Sequence, residues 1–489
     1  MSVHSSDLSA YHQCPRLHWY RKHQRTPFKP YVVLSQNLNT ALILKLNVED
    51  YFRGYQGMDP HESIQALESH EWLFSARFEA FNLRVTIPGL HRTDEGYEVY
   101  FTTLGLLPRI EDAHRFNQVL WVLQQNKLHI TKMHVMHLDK TYQRRNEFDL
   151  ACYRISSTFS KPNGSIIGDI LTVVQRKQQD YQGMISEVDQ NQNLETPIPI
   201  SLEACPNPVK CEYFNTCFST QALDLDSLYY FHHQNRTKWL RSGLKSISEL
   251  SNLDEDFSAM HYAQIKASQS KGVFVDQIGL NAWLSTLHKD PLCFIDFEWD
   301  TYAQPPYDGM HPFDVLVFQF SLHVLDNGQV QHYEYLGVDD CREAFVEALL
   351  HVIPKQGSIL AFNAFGAETI RLKELAQQFP QHQDELLMMI DRFEDLALIF
   401  NNGTVYHQAM KGSYTLKRIH QAIAPQASYE QLVISHGMEA VYHYRSLDNE
   451  EDQVDVRNAL LAYGKMDTLA MLDVYQWLVS LTQGGQDDA

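Results

Sequence analysis

No run of about twenty apolar residues occurs in this 489-residue chain, so nothing in it reads as a membrane-spanning helix. The opening residues, MSVHSSDLSAYHQCPR, lack the basic-then-apolar order of a secretory signal, which predicts a cytoplasmic protein with reduced thiols. Cysteine is sparse, at seven residues, and in a reducing compartment these serve metal binding, catalysis or burial rather than disulfides. Positive charge is also in short supply. With 40 Lys and Arg against 60 Asp and Glu the net charge is −20, which argues against a protein that coats duplex DNA by neutralising many phosphates. A nuclease survives that argument, because metal-binding carboxylates are themselves negative and a narrow basic groove can coexist with an acidic exterior. Internal repeats and low-complexity tracts are missing as well, and the length calls for more than one hydrophobic core.

Three regions separate by pattern. Residues 1–220 mix helical segments such as SDLSAYHQCPRLHWYRKH with strand-like runs at RFEAFNLRVTI and YEVYFTTLG. Residues 221–288 read as a connector of short helices, including KWLRSGLKSISELSNL and IGLNAWLSTLHK. Residues 289–482 open on LCFIDFE, an apolar run of the kind that makes a buried central strand, and a polar tail of residues 483–489 follows. In this third region LCFIDFE, DVLVFQFSLHVL and QVQHYEYLGV are followed by a helix at CREAFVEALLHVI, a strand at SILAFN and then mostly helices. That order predicts an α/β fold with a three-strand meander leading into alternating elements.

The acids of this region carry the chemistry. Asp296 and Glu298 are two apart on a strand and therefore leave the same face, where two carboxylates repel unless water or a cation relieves them. Hard oxygen ligands of this kind suit magnesium or manganese. A lone D-x-E is more simply a solvated strand end. In VDVRNALLAYGKMDTLAMLDVYQWL, however, Tyr463 and Asp467 are four apart and share one helical face. Leu460, Leu469, Met471 and Leu472 are then the contacts that press this helix onto the sheet and bring Asp467 towards Asp296. Between the two motifs, SILAFNAFGAETIRLKELA turns from strand to helix at about Asn363 to Glu368. Asn363 is a candidate to orient a ligand or substrate. Glu368 is either a second-metal ligand or a helix-start acid favoured by the dipole.

Cys205, Cys211 and Cys217 stand five residues apart in CPNPVKCEYFNTC, and Cys14 lies in YHQCPRL near the other end of the same region. Four thiolates satisfy either tetrahedral zinc or a four-iron cluster. Cys152, Cys293 and Cys341 fall in apolar surroundings and read as core residues. Arg16, Arg21, Lys22 and Arg25, with Trp19 and Tyr20, either track a single strand by charge and stacking or form a solvated basic helix.

The pieces DFE, FNAFGAE and YGKMD resemble the three motifs of DnaQ-type DEDD exonucleases of the tyrosine subclass. YHQCPRLHWYRKH, the cysteine loop, PLCFIDFE, FQFSLH, MKGSYTLKRI and YGKMDTLAM together resemble the bacterial domain of unknown function 2779 family over nearly the whole chain. The resemblance implies an RNase H-like exonuclease domain with two Mg2+ or Mn2+ ions on Asp296, Glu298 and Asp467, and Tyr463 positioning the attacking water. It implies removal of nucleotides from a 3′ end. Glu368 departs from the pattern, since four residues rather than three separate it from Asn363, and Asp395 in EDLALIF is either its substitute or a structural or helix-surface acid.

The distant first cysteine and trailing three resemble the iron–sulfur staple of RecB-like nucleases, with zinc as the alternative metal. Such a nuclease needs an acid on one strand and an acid and lysine on the next. The matching positions here are Thr86, Phe101 and Thr103, so the first domain is expected to keep the shape without the catalysis. The function expected overall is a metal-dependent 3′ to 5′ exonuclease on DNA or RNA, with single-stranded nucleic acid as its partner. A catalytically inactive nucleic-acid-binding scaffold and a hydrolase of small nucleotides are the rivals.

Overall fold

The computed structural model describes residues 2–24, 38–146, 149–200, 211–213, 216–217, 223–253, 256–426, 429–447 and 453–483, and it is a mixed α/β protein whose mixed sheets are flanked by helices. The chain divides into two compact units, one of Met1–Pro27, Val33–Cys205 and Tyr302–Asp314, the other of Phe28–Val32, Pro206–Thr301 and Val315–Ala489.

In the first unit the segment expected to be one helix is two, α1 (Ser5–Gln13) and α2 (Pro15–His23). The break falls on Cys14, held extended at φ −165° and ψ 119°, because the ring of Pro15 disfavours helical geometry in the residue before it. The aromatic residues of α2 are not a stacking surface, while Arg21 on the same helix is exposed. Trp19 and Tyr20 are buried, the Trp19 indole donates to the Leu194 carbonyl, Arg16 donates to Ile198 O and to the Tyr20 hydroxyl, and Lys22 pairs with Asp7 at 2.7 Å. Arg25 lies outside the described residues.

Helix α3 (Leu38–Leu46) precedes a meander of β1 (Trp72–Ala80), β2 (Leu83–Thr93) and β3 (Gly96–Thr102). The first turn of the meander is made by Phe81 and Asn82, both at positive φ, as a two-residue hairpin loop requires. Helix α4 (Ala113–Gln125) then leads to β4 (Ile130–Leu138), parallel to β3, and β5 (Tyr153–Ser156) pairs antiparallel with β4. Phe101 is core, stacked on Phe116 of α4 at 3.8 Å, while Thr86 is exposed and the Thr103 hydroxyl caps Gly105 N–H. Tyr302–Asp314 completes this unit: Ala303 and Phe313 pack with Leu42, Phe74, Tyr100 and Tyr153, and Arg144 exchanges backbone hydrogen bonds with Gly309 and Met310.

In the second unit, α5 (Ala259–Ser270) and α6 (Gln277–Thr286) are joined through a strand the sequence reading did not anticipate, β6 (Val273–Val275). Its β-branched and aromatic residues suit a ladder, and its partner lies more than a hundred residues on. The main sheet comprises β7 (Leu292–Thr301), β8 (Val315–Asp326) and β9 (Gln329–Leu336), then, after α7 (Arg342–Val352), β10 (Ile359–Ala361) and, after α8 (Glu368–Gln378), β11 (Phe393–Asp395). Strand order is β9-β8-β7-β10-β11, with β8 antiparallel to its two neighbours and β7, β10 and β11 parallel, a mixed sheet as expected of this region. One face buries Ile295, Phe297, Phe320 and Leu322 under α7 and α8, where Phe297 and Phe320 meet Phe345 edge-on at 5.2 and 5.5 Å. β12 (Val405–His407) pairs with β6, and α9 (Leu416–Ile423), α10 (Gly437–Tyr444) and α11 (Gln453–Gln483) follow.

α11 lies on the other face of β7 and β8. Leu460, Met471 and Leu472 are buried there as expected, but Leu469 is 36% exposed, because it sits about 200° around the helix from Asp467. Gly464 takes the close contact instead. A Cβ at this position would lie 2.5 Å from the Gln319 amide nitrogen, which donates to Leu460 O inside the core. Gly464→Ala is therefore expected to lower the melting temperature, the overpacking costing about 1–3 kcal/mol. A thermal melt checks it; a rise in melting temperature, which helix propensity alone would give, counts against close packing here.

Candidate active site

Period-two alternation sends Asp296 and Glu298 to the face of β7 that meets α11, while Ile295 and Phe297 enter the core opposite. Asp296 pairs with Ser321 and Glu298 with Gln319, after which a bulge at Glu298/Trp299 shifts the register to Val317. The extra residue is Phe318 of β8, so the bend falls on that strand, and Trp299, next along β7, joins Glu298 in lining the cavity. Asp467 comes from α11, and one oxygen from each of Asp296, Glu298 and Asp467 lies within 4.8 Å of the others. These acids floor a cavity of about 810 Å³, whose walls include Trp299, Phe362, Asn363, Glu368, His436, Met438 and Tyr463.

Glu368 reaches the cavity despite its irregular spacing. The strand β10 ends in a turn in which Asn363 adopts a φ of 69°, Gly366 and Ala367 N–H both donate to Asn363 O, and α8 begins at Glu368. The turn takes up the additional residue. A Cβ on Gly366 would lie 2.7 Å from the Asn363 side-chain oxygen, so any larger residue here would displace that amide. Asp395, at the end of strand β11 and not on a helix surface, clamps the turn: one of its oxygens accepts from Asn363 N–H at 2.8 Å and Ala397 N–H at 2.9 Å. It is a structural acid.

Burial sets the charge state. Glu298 and Glu368 are each pushed up to about 8 by desolvation, with Asp467 adding to the first and Asp395 to the second. Asp296 is raised well above the usual carboxylate range by burial, then by Asp467, Glu298 and Glu368. Asp467 is raised by burial too, but Lys417 and the hydroxyls of Tyr429 and Tyr463 oppose the shift. Glu368 is 2% exposed and its Oε2 has no hydrogen-bond partner, an orphaned buried acceptor that a cation would satisfy. All-oxygen donors, mutual proximity and this orphan fit one or more hard dications.

Three side chains at the centre were given no role by the sequence reading. Tyr429 donates to Asp467 Oδ1 at 2.7 Å, Lys417 Nζ donates to the Tyr463 hydroxyl at 2.8 Å, and His436 caps α10 at the cavity wall. MKGSYTLKRI held a signal for Lys417: a lysine in the first turn of a helix opposes the dipole and calls for nearby anions. Tyr429 and His436 sit in irregular segments without such a cue.

Of the cysteines, Cys152, Cys293 and Cys341 are core residues, with the Cys293 thiol pushed up to about 12 by burial. Cys14 is half-buried at the α1–α2 joint, and Cys211 and Cys217 are also half-buried. Cys205 lies outside the described residues.

Residues 293–415 match the family model described as "Domain of unknown function (DUF2779)", a span that contains Asp296, Glu298, Asn363 and Glu368 and stops short of Tyr463 and Asp467. The match supports the resemblance to that family. No curated protein matches the chain. Among solved structures it is similar to the family B DNA polymerase from the hyperthermophilic archaeon Pyrobaculum calidifontis, at 16% identity over 40% of this chain and 25% of the polymerase chain, with a TM-score of 0.26. The alignment thus spans a quarter of the polymerase's length. Among the described residues no helix is long and apolar enough to cross a membrane.

Proposed function

We propose that the chain is a metal-dependent 3′ to 5′ exonuclease hydrolysing phosphodiester bonds of DNA or RNA, with two Mg2+ or Mn2+ ions held by Asp296, Glu298, Glu368 and Asp467. The observation that carries this reading is the convergence of acids from β7 and α11, 171 residues apart for Asp296 and Asp467, on the floor of one cavity. Clustered acids stay ionised in a low-dielectric site only with a compensating charge. Bound ions of this kind lower the pKa of a water and stabilise charge on the attacking and leaving oxygens. The residues prepare the rest. Tyr429 and Tyr463 hold Asp467, Asp395 fixes the turn that aims Glu368, and Asn363 at the rim is placed to touch a bound strand. The 3′ direction and the nucleic-acid substrate rest on the resemblance to DEDD exonucleases.

In the same reading the first domain serves to bind nucleic acid without cleaving it. The test is to incubate 5′-labelled single strands with the full chain and Mn2+. A ladder shortening from the 3′ end is expected, abolished in Asp296→Ala and Asp467→Ala. Binding without cleavage would favour the inactive scaffold, and turnover of nucleotides in preference to oligomers the small-nucleotide hydrolase.

A further inference from the structure

We propose that Lys417 is a resident counter-charge of the carboxylate centre and the positioning residue of Tyr463. The catalytic half of this proposal rests on the hydrolytic reading above; the electrostatic half does not.

Lys417 is the second residue of α9, after the Thr415 cap, where a helix presents its positive end. A half-buried ammonium gains nothing from that place unless anions outweigh the dipole. Among the described residues it makes no direct ion pair. Burial disfavours the charge and holds the Lys417 amine below its usual range, and the field that opposes this comes from Asp467, Glu298 and Asp296 first, and from Glu439 after them. Two phenols hold it just short of those acids. Nζ lies 4.5 Å from the Tyr463 ring centre and 4.9 Å from that of Tyr429, and it donates to the Tyr463 hydroxyl and to Ser435 O. Tyr429 donates to Asp467, and Tyr463, one turn before Asp467 on α11, turns its hydroxyl to the same carboxylate and lowers its pKa.

The donor order follows from valence. An ammonium has three donors and no acceptor, so the Tyr463 oxygen must accept from it, and the single phenolic O–H is then turned towards Asp467. Removing the ammonium releases that orientation. It also takes one positive charge away from three carboxylates that compete for any incoming dication. The two consequences have opposite signs. Metal should bind more tightly while turnover falls, a combination that mere loss of packing does not produce.

The experiment titrates the full-length chain and its Lys417→Met and Lys417→Arg variants with Mn2+ by calorimetry, and measures cleavage of an end-labelled strand at saturating Mn2+. Lys417→Met is expected to bind Mn2+ about tenfold more tightly. Its kcat should fall about 10- to 100-fold with KM for the strand unchanged, as misplacement of a positioned group does. Lys417→Arg keeps the charge and should return Mn2+ affinity to within about twofold of the parent. In a Tyr463→Phe background, Lys417→Met should cause no further loss of kcat but still tighten Mn2+. Weaker or unchanged Mn2+ binding by a folded Lys417→Met chain overturns the counter-charge role. A kcat loss that multiplies with that of Tyr463→Phe overturns the positioning role. Should the parent chain cleave nothing, the hydrolytic reading and the positioning role fall together, and the calorimetric comparison still decides the counter-charge by itself. If Lys417→Met does not fold, Lys417→Arg decides instead: affinity held and KM unchanged supports the proposal, and affinity lost overturns it.

Discussion

Glu368→Gln is expected to lower turnover about 10³-fold, the several kcal/mol that metal-borne charge stabilisation supplies, and to reduce the Mn2+ stoichiometry from two to one. The effect originates in the orphaned oxygen. Glu368 Oε2 is sealed from solvent without a partner, and a side chain so placed costs stability unless something occupies it part of the time. Glutamine keeps the shape and one acceptor but cannot carry the negative charge that a second ion needs. The fold should survive, since neither the Asp395 clamp nor the Asn363 turn uses the Glu368 side chain. Calorimetry and a cleavage assay in parallel check the pair of effects. Full activity in a variant that still takes two ions would remove Glu368 from the site and leave the metal to the other three acids.

Loading the metal-free chain with Mn2+ at pH 7 is expected to release about two protons, because ligands must deprotonate to bind. Glu298 and Glu368, both pushed up to about 8, are mostly protonated at that pH, and Asp296 lies above its usual range as well. Titration in buffers of different ionisation enthalpy measures the number. The same shifts predict how stability depends on pH. Between about pH 4.5 and 8 the folded, metal-free protein binds more of these protons than the unfolded chain does, so their contribution to stability declines as pH rises through that window. Metal reverses the trend. The gap in melting temperature between loaded and metal-free protein should widen from pH 5 to pH 8, and Glu298→Gln should be more stable than the parent at pH 8 without metal. A gap that narrows over that range would mean the acids are already ionised in the empty site.

The legible parts of this molecule are those whose spacing is fixed by local geometry. D-x-E on a strand and Y-x-x-x-D on a helix announce a shared face wherever they occur, and both pairs sit as their periods require. Leu469 is apolar inside an amphipathic run yet lies on the outer side of the helix, and the small Gly464 is the position in contact. The α1–α2 break was written in Cys14-Pro15, yet the helical pattern on either side masked it. Glu368 shows the reverse. Its spacing looked wrong, and only a left-handed residue followed by a tight glycine turn brings it back to the cavity. Tyr429 and β6 depend on partners far along the chain, and single-sequence periodicity carries no information about those.

The Tyr302–Asp314 connection means that the two units are not two consecutive stretches of polypeptide. The chain leaves the second unit at the end of β7, contributes Ala303 and Phe313 to the apolar interior of the first, and returns to begin β8. Severing the chain near residue 220 would therefore yield an amino-terminal fragment with a hole in its interior and a carboxy-terminal one with a dangling apolar loop. A fragment that keeps the catalytic acids needs that loop shortened, or Phe313 made polar, before its solubility or activity says anything about the intact protein.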